Sequence, residues 1–116
     1  MKPMNNILAH WKQPFHKSLQ LGTHRGTARS EVCGDEITIS LKTTEGLITD
    51  ASWDGEGCTI CLGLASLLTK WLVGKTLQSA SQLTQERFFK LADITIEKRR
   101  EGCALVALDA LRQAIR

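Results

Sequence analysis

The stretch Ile37-Thr38-Ile39-Ser40-Leu41-Lys42 decides the fold class, because its apolar and polar residues alternate with a period of two. That alternation is typical of a β-strand with one buried face. Thr43-Thr44-Glu45-Gly46 is a predicted turn, since Gly46 can adopt a positive φ angle. A second strand is expected over residues 47–53, paired with the first as a hairpin. Asp54-Gly55-Glu56-Gly57 is expected to break the sheet after it.

Beyond the hairpin, the apolar residues follow a helical period. A long amphipathic helix is predicted to begin at Cys58 and to end at Gly74, because glycine is the usual residue just past a helix end. Thr76 can cap a short helix over residues 77–83. A further helix is expected over residues 85–91.

The two ends of the chain complete an α+β layout. A short helix is predicted over residues 5–12, and the polar stretch 16–31 permits a short edge strand near Leu19 and Leu21. The last helix is expected from about Glu97 to the end. Its predicted buried face is Val106, Ala107, Ala110, Leu111 and Ala114. Strands followed by helices predict an antiparallel sheet with helices packed on one face.

The composition limits the classes of function. The chain has 116 residues and is expected to form a single domain, 1–116. Its 15 basic and 12 acidic residues give a net charge of +3, too weak an excess to predict a nucleic-acid partner. No apolar run approaches the roughly 18 residues of a membrane span, and Ile7-Leu8-Ala9 is too short for a signal-peptide core. We therefore expect a cytoplasmic protein without a membrane partner, in which four cysteines indicate metal or sulfur chemistry.

The cysteines lie at predicted element boundaries. Cys58, Cys61 and Cys103 fall near helix starts, where the helix dipole favours the thiolate that binds metals and attacks sulfur. In Cys33-Gly34-Asp35 the glycine allows a bend that can turn the thiol and the carboxylate toward one ion. Spacing alone leaves two interpretations open. These residues share one metal ion, or Cys61 of the C-x-x-C pair is a small apolar core residue.

Several motifs together resemble the iron–sulfur cluster scaffold family that contains IscU, SufU and the N-terminal part of NifU. Cys33-Gly34-Asp35 leads into a strand, and Gly55-Glu56-Gly57-Cys58-Thr59-Ile60 resembles the family's entry to the central helix. Val73-Gly74-Lys75-Thr76 resembles the end of that helix. Arg100-Glu101-Gly102-Cys103-Ala104 is similar to the family's R-x-x-C-A, and Ile7-Leu8-Ala9-His10-Trp11-Lys12-Gln13-Pro14 to its opening.

The resemblance implies a fold, a site and partners. The fold would be a SufE/IscU-like α+β domain with a small antiparallel three-stranded sheet. The metal ligands would be Cys33, Asp35, Cys58 and Cys103, and Cys33 or Cys103 would accept sulfur as a persulfide. The cargo would be iron or a 2Fe–2S cluster, with zinc as the alternative metal. The partners would be a cysteine desulfurase and apo iron–sulfur proteins, and the chain would be a monomer or a weak homo-oligomer.

Some positions depart from the family pattern. Gly102 stands where IscU-type members have histidine, and residues 94–98 lack the Leu-Pro-Pro-Val-Lys loop that a chaperone recognises. The insertion that SufU-type members carry before the last cysteine is missing. Cys61 stands where serine is common.

Three functions therefore stay open. The first is a cluster scaffold and sulfur carrier, rather than a stand-alone enzyme, with Cys103 as the expected sulfur acceptor. The second is a zinc-dependent sulfurtransferase of the SufU type, in which Cys33 accepts sulfur. The third is a structural zinc module that binds a partner protein.

Overall fold

The computed structural model describes residues 23–30, 34–92 and 101–115, and for Thr59, Glu101 and Cys103 only the backbone. The predicted helix over residues 5–12 and the segment around Leu19 and Leu21 lie outside these ranges. The described strands are β1 (His24–Arg29), β2 (Glu36–Thr44) and β3 (Leu47–Glu56). The described helices are α1 (Thr59–Leu72), α2 (Leu77–Ser81), α3 (Gln85–Ala92), α4 (Glu101–Ala104) and α5 (Val106–Ile115).

The strands form an antiparallel three-stranded sheet in the order β1-β2-β3, which confirms the predicted fold class. Thr44 pairs with Leu47, so the predicted hairpin closes through Glu45 and Gly46. Both residues have positive φ, 52° and 81°, as a two-residue hairpin turn of the I′ type requires. β1 is the edge strand of the sheet, and it lies beyond Leu19 and Leu21, the residues near which the sequence permitted one.

β3 runs further than predicted. Asp54-Gly55-Glu56 does not break the sheet, because Gly55 pairs with Ile37 and Glu56 with Glu36. A Cβ atom at position 55 would collide with the Glu36 carbonyl oxygen and lie 3.0 Å from the Ile37 Cα atom. The glycine therefore permits a close strand pair instead of ending the strand, and the expected break is wrong.

The helices begin and end close to their predicted positions. Cys58 caps α1, and Gly74 follows its end with φ 91°. The Thr76 hydroxyl accepts a hydrogen bond from the Ser79 backbone N–H at 3.0 Å and so caps α2. The last helix differs, because Leu105 separates α4 from α5. Its predicted start near Glu97 lies outside the described residues.

One apolar core joins the sheet to the helices. α5 packs against β1 and β2, and α1 packs against β3. The predicted face of the last helix is buried throughout, and Leu108 is buried with it. A Cβ atom at Gly26 would collide with the α5 backbone at Ala110 and Ala114, so this helix lies directly on β1. Among the described helices, none has the length and hydropathy needed to cross a membrane.

Candidate metal centre

Asp35 is the last residue of the connection between β1 and β2 and directly precedes β2. Gly34 has φ 75°, as expected for a bend between Cys33 and Asp35. The Gly34 N–H donates to the Ser30 carbonyl, and the Ser30 N–H donates to the Asp35 carbonyl, both at 2.8 Å. These two bonds fix the Asp35 backbone where the sheet begins. Its side chain turns inward, because only 5% of the residue is exposed.

The Asp35 carboxylate packs against the backbone of Gly57. A Cβ atom at position 57 would lie 2.9 Å from the Asp35 Cγ atom and 3.1 Å from Oδ1. Glycine therefore leaves room for the carboxylate next to Cys58. Asp35 Oδ2 is buried and has no hydrogen-bond partner among the described residues. A buried carboxylate oxygen without a partner costs free energy, so its surroundings suit a positive ion.

Cys58 occupies the N-cap of α1 and is exposed. Its Sγ atom accepts the Cys61 backbone N–H at a distance of 3.5 Å. The thiol thus takes the position that serine or aspartate commonly holds at a helix start. The positive end of the helix dipole faces this sulfur, which suits a negatively charged metal ligand.

Cys61 lies one turn further along α1 and is 1% exposed, which confirms the interpretation as a small apolar core residue. Burial raises the pKa of the Cys61 thiol to about 12, with further contributions from the charges of Asp35 and Cys58 and from its hydrogen bond to Asp35. The prediction that the helix start makes Cys61 reactive is therefore wrong, because desolvation outweighs the dipole.

The full predicted ligand set is not tested by the described residues. Cys33 lies outside them, and only the backbone of Cys103 is described, in α4. α4 packs beside α1, the helix that Cys58 caps. Within the described part of the chain, no three His, Cys, Asp or Glu side chains are grouped so that they could hold a metal ion. The site of Cys33, Asp35, Cys58 and Cys103 stays a prediction; within it, the structure places the Asp35 carboxylate against Gly57, the residue before Cys58.

A polar pocket that the sequence analysis missed opens on the sheet beside Gly34. Its volume is about 470 Å³, and it is lined by Arg29, Gly34, Glu36, Asp54, Gly55 and Glu56. The three carboxylates come from neighbouring strands, with Glu36 directly opposite Glu56. Arg29 forms an ion pair with Glu36 at 2.7 Å and offsets one of these charges. The signal was the presence of two acids at alternate positions of β3, Asp54 and Glu56, together with Glu36 at the start of β2.

The described architecture is an α+β domain in which the Asp35 carboxylate lies beside Gly57, at the entry to the central helix. The chain belongs to the family described as the NifU-like N terminal domain, whose model matches residues 3–116. It is 32% identical over 90 residues to the iron-sulfur cluster assembly scaffold protein IscU 1 of Archaeoglobus fulgidus. It is 29% identical over 79 residues to the zinc-dependent sulfurtransferase SufU of Bacillus subtilis.

The aligned stretches cover 78% and 68% of this chain but only 58% and 54% of these two relatives. The fold itself matches a crystal structure of a nitrogen-fixing NifU-like protein (N-terminal) from Brucella abortus. The TM-score is 0.75 at 21% identity, over 97% of this chain and 90% of that one.

Proposed function

We propose that this protein is an iron–sulfur cluster assembly scaffold. It accepts sulfur from a cysteine desulfurase, holds iron or a nascent 2Fe–2S cluster as cargo, and passes the cluster to apo proteins. Membership of the NifU-like family and the similarity to a relative named as a scaffold support the proposal. The observation that carries it is the unpartnered, buried Oδ2 atom of Asp35, packed beside the residue that precedes Cys58.

The donor set fits a cargo that must be released. Cys58 supplies a soft thiolate, as Cys33 and Cys103 do in the proposed set. Asp35 supplies a hard oxygen ligand. Iron that is already bound by thiolates binds this oxygen less strongly than it binds the sulfur ligands. The carboxylate is therefore the ligand from which transfer to an acceptor begins. The same four side chains can hold zinc, which accepts both sulfur and oxygen ligands.

Sulfur enters by thiol–disulfide exchange chemistry. The Cys103 thiolate attacks the terminal sulfur of the desulfurase persulfide. One new sulfur–sulfur bond forms on Cys103, and the bond between the two desulfurase sulfurs breaks. The desulfurase cysteine leaves as a thiolate, so no external oxidant or reductant is consumed. We further propose a cytoplasmic, monomeric or weakly associating single domain, because a reducing compartment keeps these thiols available.

A zinc-dependent sulfurtransferase is the second candidate function. Gly102 precedes Cys103, and a Cβ atom there would meet nothing within 4 Å. The described surroundings therefore have room at the position where IscU-type members have histidine, yet the imidazole is missing. The similarity to a relative named as a zinc-dependent sulfurtransferase also favours this candidate. In it, Cys33 would be a zinc ligand and would be the thiol that accepts the sulfur.

Anaerobic reconstitution tests the scaffold function. The protein is first incubated with cysteine desulfurase and cysteine. Ferrous iron and dithiothreitol are then added, because the thiol supplies the electrons that convert persulfide sulfur to sulfide, and the product is analysed for zinc, iron, sulfide and visible absorption. We expect a 2Fe–2S spectrum in the wild type and a longer-lived cluster in Asp35→Ala, because the weakest ligand is lost. Asp109→Ala is the matched control, since this aspartate is exposed on α5 and its ion pair within the described part of the chain is a long one, with Arg112 at 3.8 Å. A variant at Asp35 that loses its cluster faster than the wild type contradicts this role.

The same reaction, sampled before iron is added, separates the two candidates. Peptide mass spectrometry locates the added sulfur atom. An adduct on Cys103 supports the scaffold. An adduct on Cys33, in protein that contains zinc and forms no cluster, supports the sulfurtransferase and rejects the scaffold.

A further inference from the structure

Gly57 is the single residue between the end of β3 and the N-cap of α1, and its own backbone does not require a glycine. Its φ angle lies outside the left-handed region, and the residue is exposed to solvent. Among the described residues, the three heavy atoms nearest to a Cβ atom at this position all belong to Asp35: Cγ at 2.9 Å, and Cβ and Oδ1 at 3.1 Å. These distances are shorter than the contact that two unbonded carbon atoms prefer. The space that a side chain would fill at Gly57 is therefore occupied by the side chain of Asp35.

The backbones on both sides of this contact are held in place. The Asp35 carbonyl accepts the Ser30 N–H at 2.8 Å, which fixes the aspartate where β2 begins. Gly57 follows Glu56, which is paired within the sheet, and precedes Cys58, which caps α1. Because neither backbone is free to withdraw, a methyl group at position 57 would be accommodated by rotation of the short Asp35 side chain. A substitution here would therefore displace the carboxylate before it displaces the sheet or the helix.

We propose that Gly57 is a positioning residue for the metal centre. The carboxylate oxygen Oδ1 lies against the glycine, whereas Oδ2 is buried and has no hydrogen-bond partner among residues 23–30, 34–92 and 101–115. The glycine thus admits the carboxylate in the one orientation that leaves Oδ2 available to an ion. Groups that fix the orientation of a ligating side chain strengthen metal binding, and their loss weakens it. The inference rests on the proposed function, because it takes Asp35 as a ligand.

Gly57→Ala and Gly102→Ala form the matched pair for the test. Both glycines directly precede a cysteine of the proposed ligand set, but a Cβ atom at Gly102 meets nothing within 4 Å. Zn²⁺ affinity is measured by competition with a chromophoric chelator, and the ligand field by the absorption spectrum of the Co²⁺ form. We expect Gly57→Ala to bind Zn²⁺ about tenfold more weakly than wild type and to change the Co²⁺ spectrum. Gly102→Ala should match wild type in both measurements.

Urea unfolding of the metal-free variants distinguishes positioning from a merely structural role. If Gly57 only relieves crowding at the entry to α1, Gly57→Ala lowers the free energy of unfolding but leaves the Zn²⁺ affinity and the Co²⁺ spectrum of the folded protein unchanged. That result would overturn the inference.

A double-mutant cycle with Asp35→Gly isolates the contact, because this substitution removes all three atoms that a Cβ atom at position 57 would meet. If Gly57 acts through the Asp35 side chain, Gly57→Ala has no further effect on Zn²⁺ affinity in the Asp35→Gly background. An undiminished effect in that background would overturn the inference. Should Gly57→Ala alone fail to fold, we expect Asp35→Gly to restore folding, and a double variant that also fails to fold would overturn the inference.

Two further variants separate this inference from the proposed function. If Asp35→Ala and Cys58→Ser leave Zn²⁺ affinity unchanged, the ligand set is wrong and both proposals fall. If those two variants weaken binding while Gly57→Ala does not, only the positioning role falls.

Discussion

The buried thiol of Cys61 makes stability depend on pH at the scale of a single residue. Burial raises its pKa from 9.0 to about 12. Between these values the unfolded chain loses a proton that the folded protein keeps, so the unfolded state binds fewer protons. The contribution of Cys61 to the free energy of unfolding is fully present below pH 9 and decreases as the pH rises toward 12.

Urea unfolding of metal-free protein at pH 7 to pH 10 measures this effect (about the range over which a free thiol titrates). We expect the stability difference between wild type and Cys61→Ala to shrink as the pH rises, because only the wild type loses the contribution. Other groups titrate in both proteins and cancel in the difference. Stability curves that remain parallel would show that the thiol is not protected from ionisation.

At the scale of elements, glycines determine how closely α5 and β3 approach their neighbours. Gly26 faces the α5 backbone, and Gly55 faces the β2 backbone at Glu36 and Ile37. Neither feature follows from a local pattern, because both depend on which backbone lies across from the glycine. The sequence therefore predicted the strand and the helix but not the contact between them, and it mistook Gly55 for a strand end.

Gly26→Ala should separate α5 from β1. The added Cβ atom would overlap the backbone at Ala110 and Ala114, which cannot move as a flexible side chain would. We expect a loss of about 1–3 kcal/mol in the free energy of unfolding, as for an overpacked core. Gly102→Ala is the control, because a Cβ atom there meets nothing within 4 Å and a helical alanine is favoured over glycine. Chemical denaturation of both variants tests this, and equal stabilities would contradict the close approach.

At the scale of the whole molecule, the periodic parts of the sequence predicted the architecture well. The alternation over Ile37–Leu41 and the turn glycine Gly46 specified the hairpin, because local backbone preferences and one-sided burial agree there. Cys58 was correctly predicted at the start of the central helix. The reactivity of Cys61 was predicted wrongly, because the helix dipole is visible in the sequence whereas burial depends on the assembled core. The pocket beside Gly34 was missed because its carboxylates come together only through strand register.

The apolar core predicts how the whole molecule responds to loss of metal. Trp53, Leu64, Leu108 and their neighbours are buried between the sheet and the helices, and this core includes no residue of the proposed ligand set. Chelation should therefore lower the thermal midpoint by removing binding energy, while the far-ultraviolet circular dichroism and the dispersed amide spectrum persist. A structural zinc module would unfold instead. Cys58→Ser is the matched control, because its thermal midpoint should equal that of chelated wild type and should not change when chelator is added. Unfolding of the wild type on chelation would exclude a scaffold that must remain folded between cargoes.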